Sequence, residues 1–185
     1  MIYSLFFEFC FVIVKILGLF VPKIKNFLES RKRISNDIRY FNSSKNNFVI
    51  WIHCSSMGEF EQIKPLLKKI KKSKPIAEFV ITFFSESGFN SAKNFTDAKV
   101  VTYLPFDRKK EINQFINKIR PKALLLVKNE FWPNLIKYVQ KSDIKIFSIS
   151  SSFRKSQIFF NVFSFGMVNT LKKINFFFVV NENDK

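Results

Sequence analysis

The sequence predicts a doubly wound α/β domain, in which a parallel sheet is covered by helices on both faces. Two observations carry that prediction. Six short runs of almost continuous apolar residues recur along the chain, and the segments between them have helical patterns. Strands buried on both faces read as unbroken apolar runs, and parallel strands need crossovers long enough to hold a helix. A third observation sets the scale. With 185 residues, 47% of them apolar, the chain suits one ordinary domain and is too apolar for a disordered one.

The first element is a hydrophobic helix. Residues 1–21, MIYSLFFEFCFVIVKILGLFV, are apolar except for Glu8, Lys15 and a few small or polar residues. At about 1.5 Å per residue the run could cross a hydrocarbon core. Glu8 and Lys15 lie seven apart on one helical face, and burying each in lipid would cost a few kcal/mol. Pro22 and a basic stretch follow, with Lys23, Lys25, Arg31, Lys32 and Arg33. A basic leader and a small-x-small cleavage site are both missing, so a cleavable signal peptide fits poorly. Residues 1–41 are therefore expected to form a membrane anchor helix, inserted or lying flat, with its basic segment on the anionic cytoplasmic side. Burial against another protein surface is the alternative.

After a polar linker, NSSKNN at 42–47, a domain is expected over 48–185. Its strands are predicted at 48–53, 77–83, 99–103, 122–128, 144–149 and 176–180, each apolar and rich in Val, Ile, Leu or Phe. Helices are predicted near 59–72, 86–95, 108–119, 133–141 and 157–173. At the first corner, VIWIHCSSMGEFE (49–61), a buried strand runs into a small polar turn and a helix that opens on Gly58 and Glu59. A carboxylate there can be a helix-terminal charge, favourable by several tenths of a kcal/mol, or a catalytic base. In a sheet of order 3-2-1-4-5-6, strands one and four are neighbours, and ligands bind beyond their carboxyl ends. The loops there would be Cys54–Glu59 and Asn129–Asn134, which would bring Glu59 and Glu130 to one crevice.

Other chemistries are poorly supplied. G-x-G-x-x-G after the first strand and G-x-x-x-x-G-K-[ST] are both missing, which excludes dinucleotide and P-loop readings. Gly58 permits close backbone approach at a helix N-terminus, which suits an anionic group. Cys10 and Cys54 lack metal-ligand spacing and read as inert thiols in a reducing compartment. The single histidine, His53, closes a buried strand and reads as a satisfied core imidazole rather than a ligand. The formal charge of +17 has two sources to choose from, AT-rich codon bias or an anionic partner. The lysines are scattered and no nucleic-acid motif is present, so the anionic partner expected is a membrane surface and not nucleic acid.

From VIWIHCSSMGEFEQIKPLL onward the chain resembles the Kdo transferases (3-deoxy-D-manno-octulosonic acid transferases of lipopolysaccharide synthesis). The shared pattern is a strand, a small-residue turn closing in Gly58-Glu59, then a helix. TFFSESGFNSAK (82–93), YLPFDRKKEINQFINKIRPK (103–122) and KNEFWPNLI (128–136) match three further motifs in order. The resemblance implies the Rossmann-like N-terminal half of a GT-B glycosyltransferase, which holds a lipid A precursor while a C-terminal domain holds CMP-Kdo. It makes Glu59 the general base and gives Ser56, Gly58, Glu130 and Arg154 substrate-binding roles. No cofactor or metal is required by such a mechanism. The location implied is the cytoplasmic face of the inner membrane. Arg154 stands about two residues out of register with the family's Asn-Ala-Arg-Leu-Ser stretch, here Ser150-Ser151-Ser152-Phe153-Arg154. The chain stops at FFFVVNENDK, about where the first domain should finish, so the donor domain is expected to be absent from these residues. A non-catalytic, lipid-binding remnant of such an enzyme is the competing reading. Trp132-Pro133 is open between a helix start and an acceptor contact, and the lysines of 64–74 between a solvated face and lipid phosphate.

Overall fold

The structure, a computed structural model, describes residues 2–42, 47–153 and 166–181. Three helices come first: α1 (Ile2–Leu17), α2 (Pro22–Lys32) and α3 (Ile34–Asp37). Strands and helices then alternate as β1 (Phe48–Cys54), α4 (Met57–Ser73), β2 (Ala77–Phe83), α5 (Glu86–Ala92), β3 (Ala98–Tyr103) and α6 (Lys109–Ile119). The series continues with β4 (Ala123–Val127), α7 (Pro133–Lys141), β5 (Lys145–Ser151), α8 (Met167–Leu171) and β6 (Phe176–Val179). Every predicted strand is found, shifted by two residues at most. Of the last predicted helix, only Met167–Leu171 is seen as helix; its first part, through 165, lies outside the described residues, as do linker positions 43–46.

The sheet is parallel throughout and its order is β3-β2-β1-β4-β5-β6. That is the doubly wound order expected from the sequence. β1 pairs β4 from Ile50↔Ala123 to His53↔Leu126, so their carboxyl ends finish side by side. Alternate residues of each strand feed opposite faces. Trp51, Leu124 and Ile146 pack with Phe115 and Ile119 of α6 and Val139 of α7. Ile52, Ile81 and Leu125 pack on the other face with Phe60, Ile63 and Leu67 of α4. α6 shows how sequence builds this layer. Ile112, Phe115, Ile116 and Ile119 recur at helical spacing, and all four are buried.

The segment before the sheet packs against it. Arg31 of α2 donates to the Phe84 carbonyl at 2.6 Å, and Thr102 on β3 donates to Asp37 of α3 at 2.6 Å. Ile38 and Phe41 enter the core on the α6–α7 side. The basic stretch is therefore helical, started by Pro22 in the first turn, where its missing N–H costs nothing. α1 docks by one face: Ser4 donates to Asn134 at 2.7 Å, Arg108 donates to Glu8 at 2.8 and 2.9 Å, and Phe11 meets Phe106 edge-on at 4.7 Å. Its other face leaves Leu5, Phe9, Val12 and Ile16 in the open. Among the described residues no single helix is long and apolar enough to cross a membrane; only α1 taken together with the α2–α3 stretch, Pro22–Asp37, qualifies, as a pair bent by 116°.

Candidate active site

β1 delivers His53 and Cys54 to the carboxyl edge of the sheet, and the chain turns through Ser55 and Ser56 into α4. Ser56 is the N-cap, its hydroxyl 3.5 Å from the Glu59 N–H. Glu59 reaches back, and one of its oxygens accepts the Ser55 N–H. This reciprocal arrangement is a close variant of the capping box. Glu59 is therefore a helix-terminal carboxylate by contact. The cap, however, leaves it in the crevice, 7% exposed, within electrostatic reach of Glu130, Lys128 and His53. Gly58 has no internal reason to be glycine: a Cβ there would meet open space.

Beyond β4, Lys128 takes up a left-handed conformation (φ 60°) that turns the chain toward Asn129 and Glu130. Asn129 exchanges two hydrogen bonds with the backbone of Ser152, at 2.6 and 3.3 Å, tying this loop to the end of β5. Glu130 accepts from the Trp132 indole at 3.2 Å and lies 3.6 Å from His53 Nε2. His53 is fully buried, with Nδ1 3.1 Å from the Thr82 carbonyl. Nδ1 also lies 3.2 Å from the Thr82 hydroxyl, which donates to the Ile52 carbonyl and accepts from the Trp51 indole, while Nε2 faces Glu130 without a hydrogen bond.

The two carboxyls are driven apart. Burial pushes the Glu59 carboxyl up and the Glu130 charge adds to this, outweighing the Ser55 N–H, Lys128 and His53. Burial also pushes Glu130 up, but His53, the Trp132 indole and the Ser55 hydroxyl together hold it below the usual carboxylate range. Neighbouring carboxyls with opposite shifts suit one proton acceptor and one carboxylate that stays ionised. Burial raises the Cys54 thiol far above its ordinary range, which keeps it unreactive.

The predicted convergence of Glu59 and Glu130 is thus what the fold builds, with Ser56 and Gly58 in the same turn. Arg154 lies outside the described residues. His53 is the buried core imidazole expected, but it is only half satisfied: Nδ1 meets Thr82, whereas Nε2 faces Glu130 at 3.6 Å without a hydrogen bond. Being the penultimate residue of a strand that ends at the switch point was the signal available for that approach. Asp107 was missed altogether. It is buried between elements and accepts the N–H groups of Asn134 (3.1 Å) and Leu135 (2.7 Å), which caps α7 from a distant loop.

Residues 26–185 match the family model of 3-deoxy-D-manno-octulosonic-acid transferase (kdotransferase). The chain belongs to the Kdo transferase family. It is 37% identical over 167 residues to a bifunctional glycosyltransferase/methyltransferase of Fusobacterium nucleatum subsp. nucleatum, covering 88% of this chain and 25% of that protein. It is 35% identical over 88 residues to the 3-deoxy-D-manno-octulosonic acid transferase of Haemophilus influenzae, covering 47% and 21%. For that of Aquifex aeolicus the figures are 32% over 99 residues, 53% and 27%. The chain thus spans about a quarter of the length of these relatives.

The four Kdo transferase motifs meet at one edge of the sheet. The Ser55 carbonyl accepts the Ser85 N–H at 3.0 Å, joining the first turn to the second. Gly88 is required there, because a Cβ would come within 2.6 Å of Phe83 and 3.2 Å of the Ser56 backbone. Phe84 stacks on Trp132 at 5.2 Å, joining the second motif to the fourth. Asp107 of the third motif caps the helix of the fourth.

Proposed function

We propose that this chain is the acceptor-binding part of an enzyme that transfers Kdo from CMP-Kdo to a lipid A precursor, working at the cytoplasmic face of the inner membrane. The observation that carries the reading is the pair of oppositely shifted carboxyls, Glu59 and Glu130, at the β1/β4 switch point. An acceptor hydroxyl oxygen attacks the anomeric carbon of Kdo. The bond from that carbon to the phosphate oxygen breaks, its electron pair leaves on CMP, and the hydroxyl proton passes to Glu59. Such a base is typically worth about 10²–10⁴-fold. Glu130 stays ionised beside His53 and Trp132 and orients the acceptor. Membrane attachment is inferred from the outward apolar face of α1 and the lysines of α2, which together form a helix pair lying on the bilayer.

The experiment is Glu59→Gln in a two-domain assembly that holds both substrates. Gln keeps an oxygen for the Ser55 N–H and so keeps the cap, but it is no base. Turnover is expected to fall by about 10²-fold or more with the melting temperature nearly unchanged. Activity within a few-fold of the parent would leave Glu59 as a cap alone.

A further inference from the structure

We propose that the elbow between α1 and α2 is a binding site for one anionic phospholipid of the bilayer. An acyl chain would lie in the groove and the phosphate on Lys15, Lys25 and Lys32. The site rests on the membrane reading given above. The groove has a volume of ≈ 570 Å³, within the roughly 300–1,000 Å³ of small-molecule sites. Its floor is apolar, formed by Phe11, Gly18, Leu28 and Phe106. Gly18 lets the helices close over it, since a Cβ there would lie 2.8 Å from Leu28 Cδ1. The rim is cationic: three lysines against a single carboxylate, Glu29. Among the described residues no ion pair engages these lysines, although Arg108 close by is fully matched by Glu8 and Glu111. Lys15 Nζ lies over the Phe11 ring at 4.9 Å, so its ammonium already hangs over the trough. An apolar trough edged by ammonium groups that have no carboxylate partner is complementary to one amphiphile class, a fatty chain with a phosphate head.

The bilayer is favoured over the acceptor as the source of that amphiphile by where the groove sits. Leu19 and Phe20, each 77% exposed, stand beside it and would already be in lipid. The carboxylates, by contrast, lie beyond a file of rings running Phe106, Phe27, Phe84, Trp132, with neighbouring centroids 5.2–5.9 Å apart. A lipid with its phosphate at the elbow therefore holds the hinge between anchor and domain and leaves the crevice free.

The test uses the full chain and dihexanoyl phosphatidylglycerol kept below its micelle concentration, titrated by calorimetry. One saturable site is expected, with binding at least about ten-fold weaker for dihexanoyl phosphatidylcholine, which lacks net charge. Glycerol phosphate, which lacks the chains, should bind as weakly. The triple variant Lys15→Gln, Lys25→Gln, Lys32→Gln should lose about ten-fold or more in affinity. Its melting temperature should hold, because all three side chains are exposed. Equal binding of the two dihexanoyl lipids, an unaffected triple variant, or binding by a lipid A precursor but not by phosphatidylglycerol would each overturn the site. Flotation on zwitterionic vesicles separates the two claims. A chain that floats yet gives no saturable binding overturns the elbow site alone, whereas one that binds the soluble lipid but never floats overturns the membrane reading.

Discussion

Glu130 shows how a single side chain can set the chemistry of another. It is held below the usual carboxylate range in its pocket beside His53 and Trp132, and its charge in turn raises the Glu59 carboxyl. A base works only when deprotonated, so activity is expected to fall as pH drops through the raised Glu59 value, above the usual glutamate range. Glu130→Gln removes one cause of that rise, and the acid limb of the rate profile should move to lower pH in whatever activity remains. A limb that stays in place would mean that the two carboxyls do not communicate. At this scale Glu59 and Glu130 were legible because position alone, strand end plus turn, brought them together. The approach of His53 to Glu130 was not, because a buried strand residue and a buried site residue share one sequence signature.

Between residue and fold, the informative element is α7, whose N-terminus carries Trp132, Pro133 and Asn134 into the site. The Asp107 carboxylate accepts two of its N–H groups, the Asn134 amide donates to the Asp107 carbonyl at 2.7 Å, and Tyr3 of α1 donates to the same carboxylate. Burial still dominates and lifts the Asp107 carboxyl from 3.8 to about 6, against the pull of those hydrogen bonds. The sign for stability follows. The folded protein keeps this proton to higher pH than the unfolded chain does, so the contribution of Asp107 falls as pH rises from 3.8 to about 6 and is level above. The loss is about 3 kcal/mol. Asp107→Asn should abolish that slope in urea melts across the interval, and it should also weaken the cap, since an amide has only one accepting oxygen for two N–H groups. A variant with the parent's slope would show that the titration lies elsewhere. The sheet elements were legible because each strand is apolar on both faces. α2 and α3 were not, because their sequences are mostly polar; tertiary contacts such as Arg31–Phe84 and Asp37–Thr102 hold them helical.

Among the described residues, two exposed apolar surfaces stand out: the outward face of α1, and the edge strand β6, where Phe176 is 57% exposed. The first is best tested without truncation, because removing α1 would strip Asp107, Arg108 and Asn134 of partners. Leu5→Glu with Phe9→Glu keeps the docking face, and should release the chain from vesicles while leaving the fold intact; a doubly substituted chain that still floats would remove α1 as the anchor. On the proposed reading the crevice is one wall of a site, with Glu59 as base, Glu130 as anion and Phe84 stacked on Trp132 as an aromatic shelf for the acceptor. In the proposed enzyme the donor would be held mainly by a second domain. Oriented reactants can supply roughly 7–11 kcal/mol of a barrier, and a wall holding one reactant forfeits much of that. Residues 1–185 alone are therefore expected to bind a lipid A precursor without turning over CMP-Kdo, and to gain turnover when a donor-binding domain is fused or added in trans. Mass spectrometry of the lipid after incubation decides it. Kdo-modified product from residues 1–185 alone would mean that the donor is held by this sheet itself, and the exposed β6 edge, where a second copy could pair, would be the first place to look.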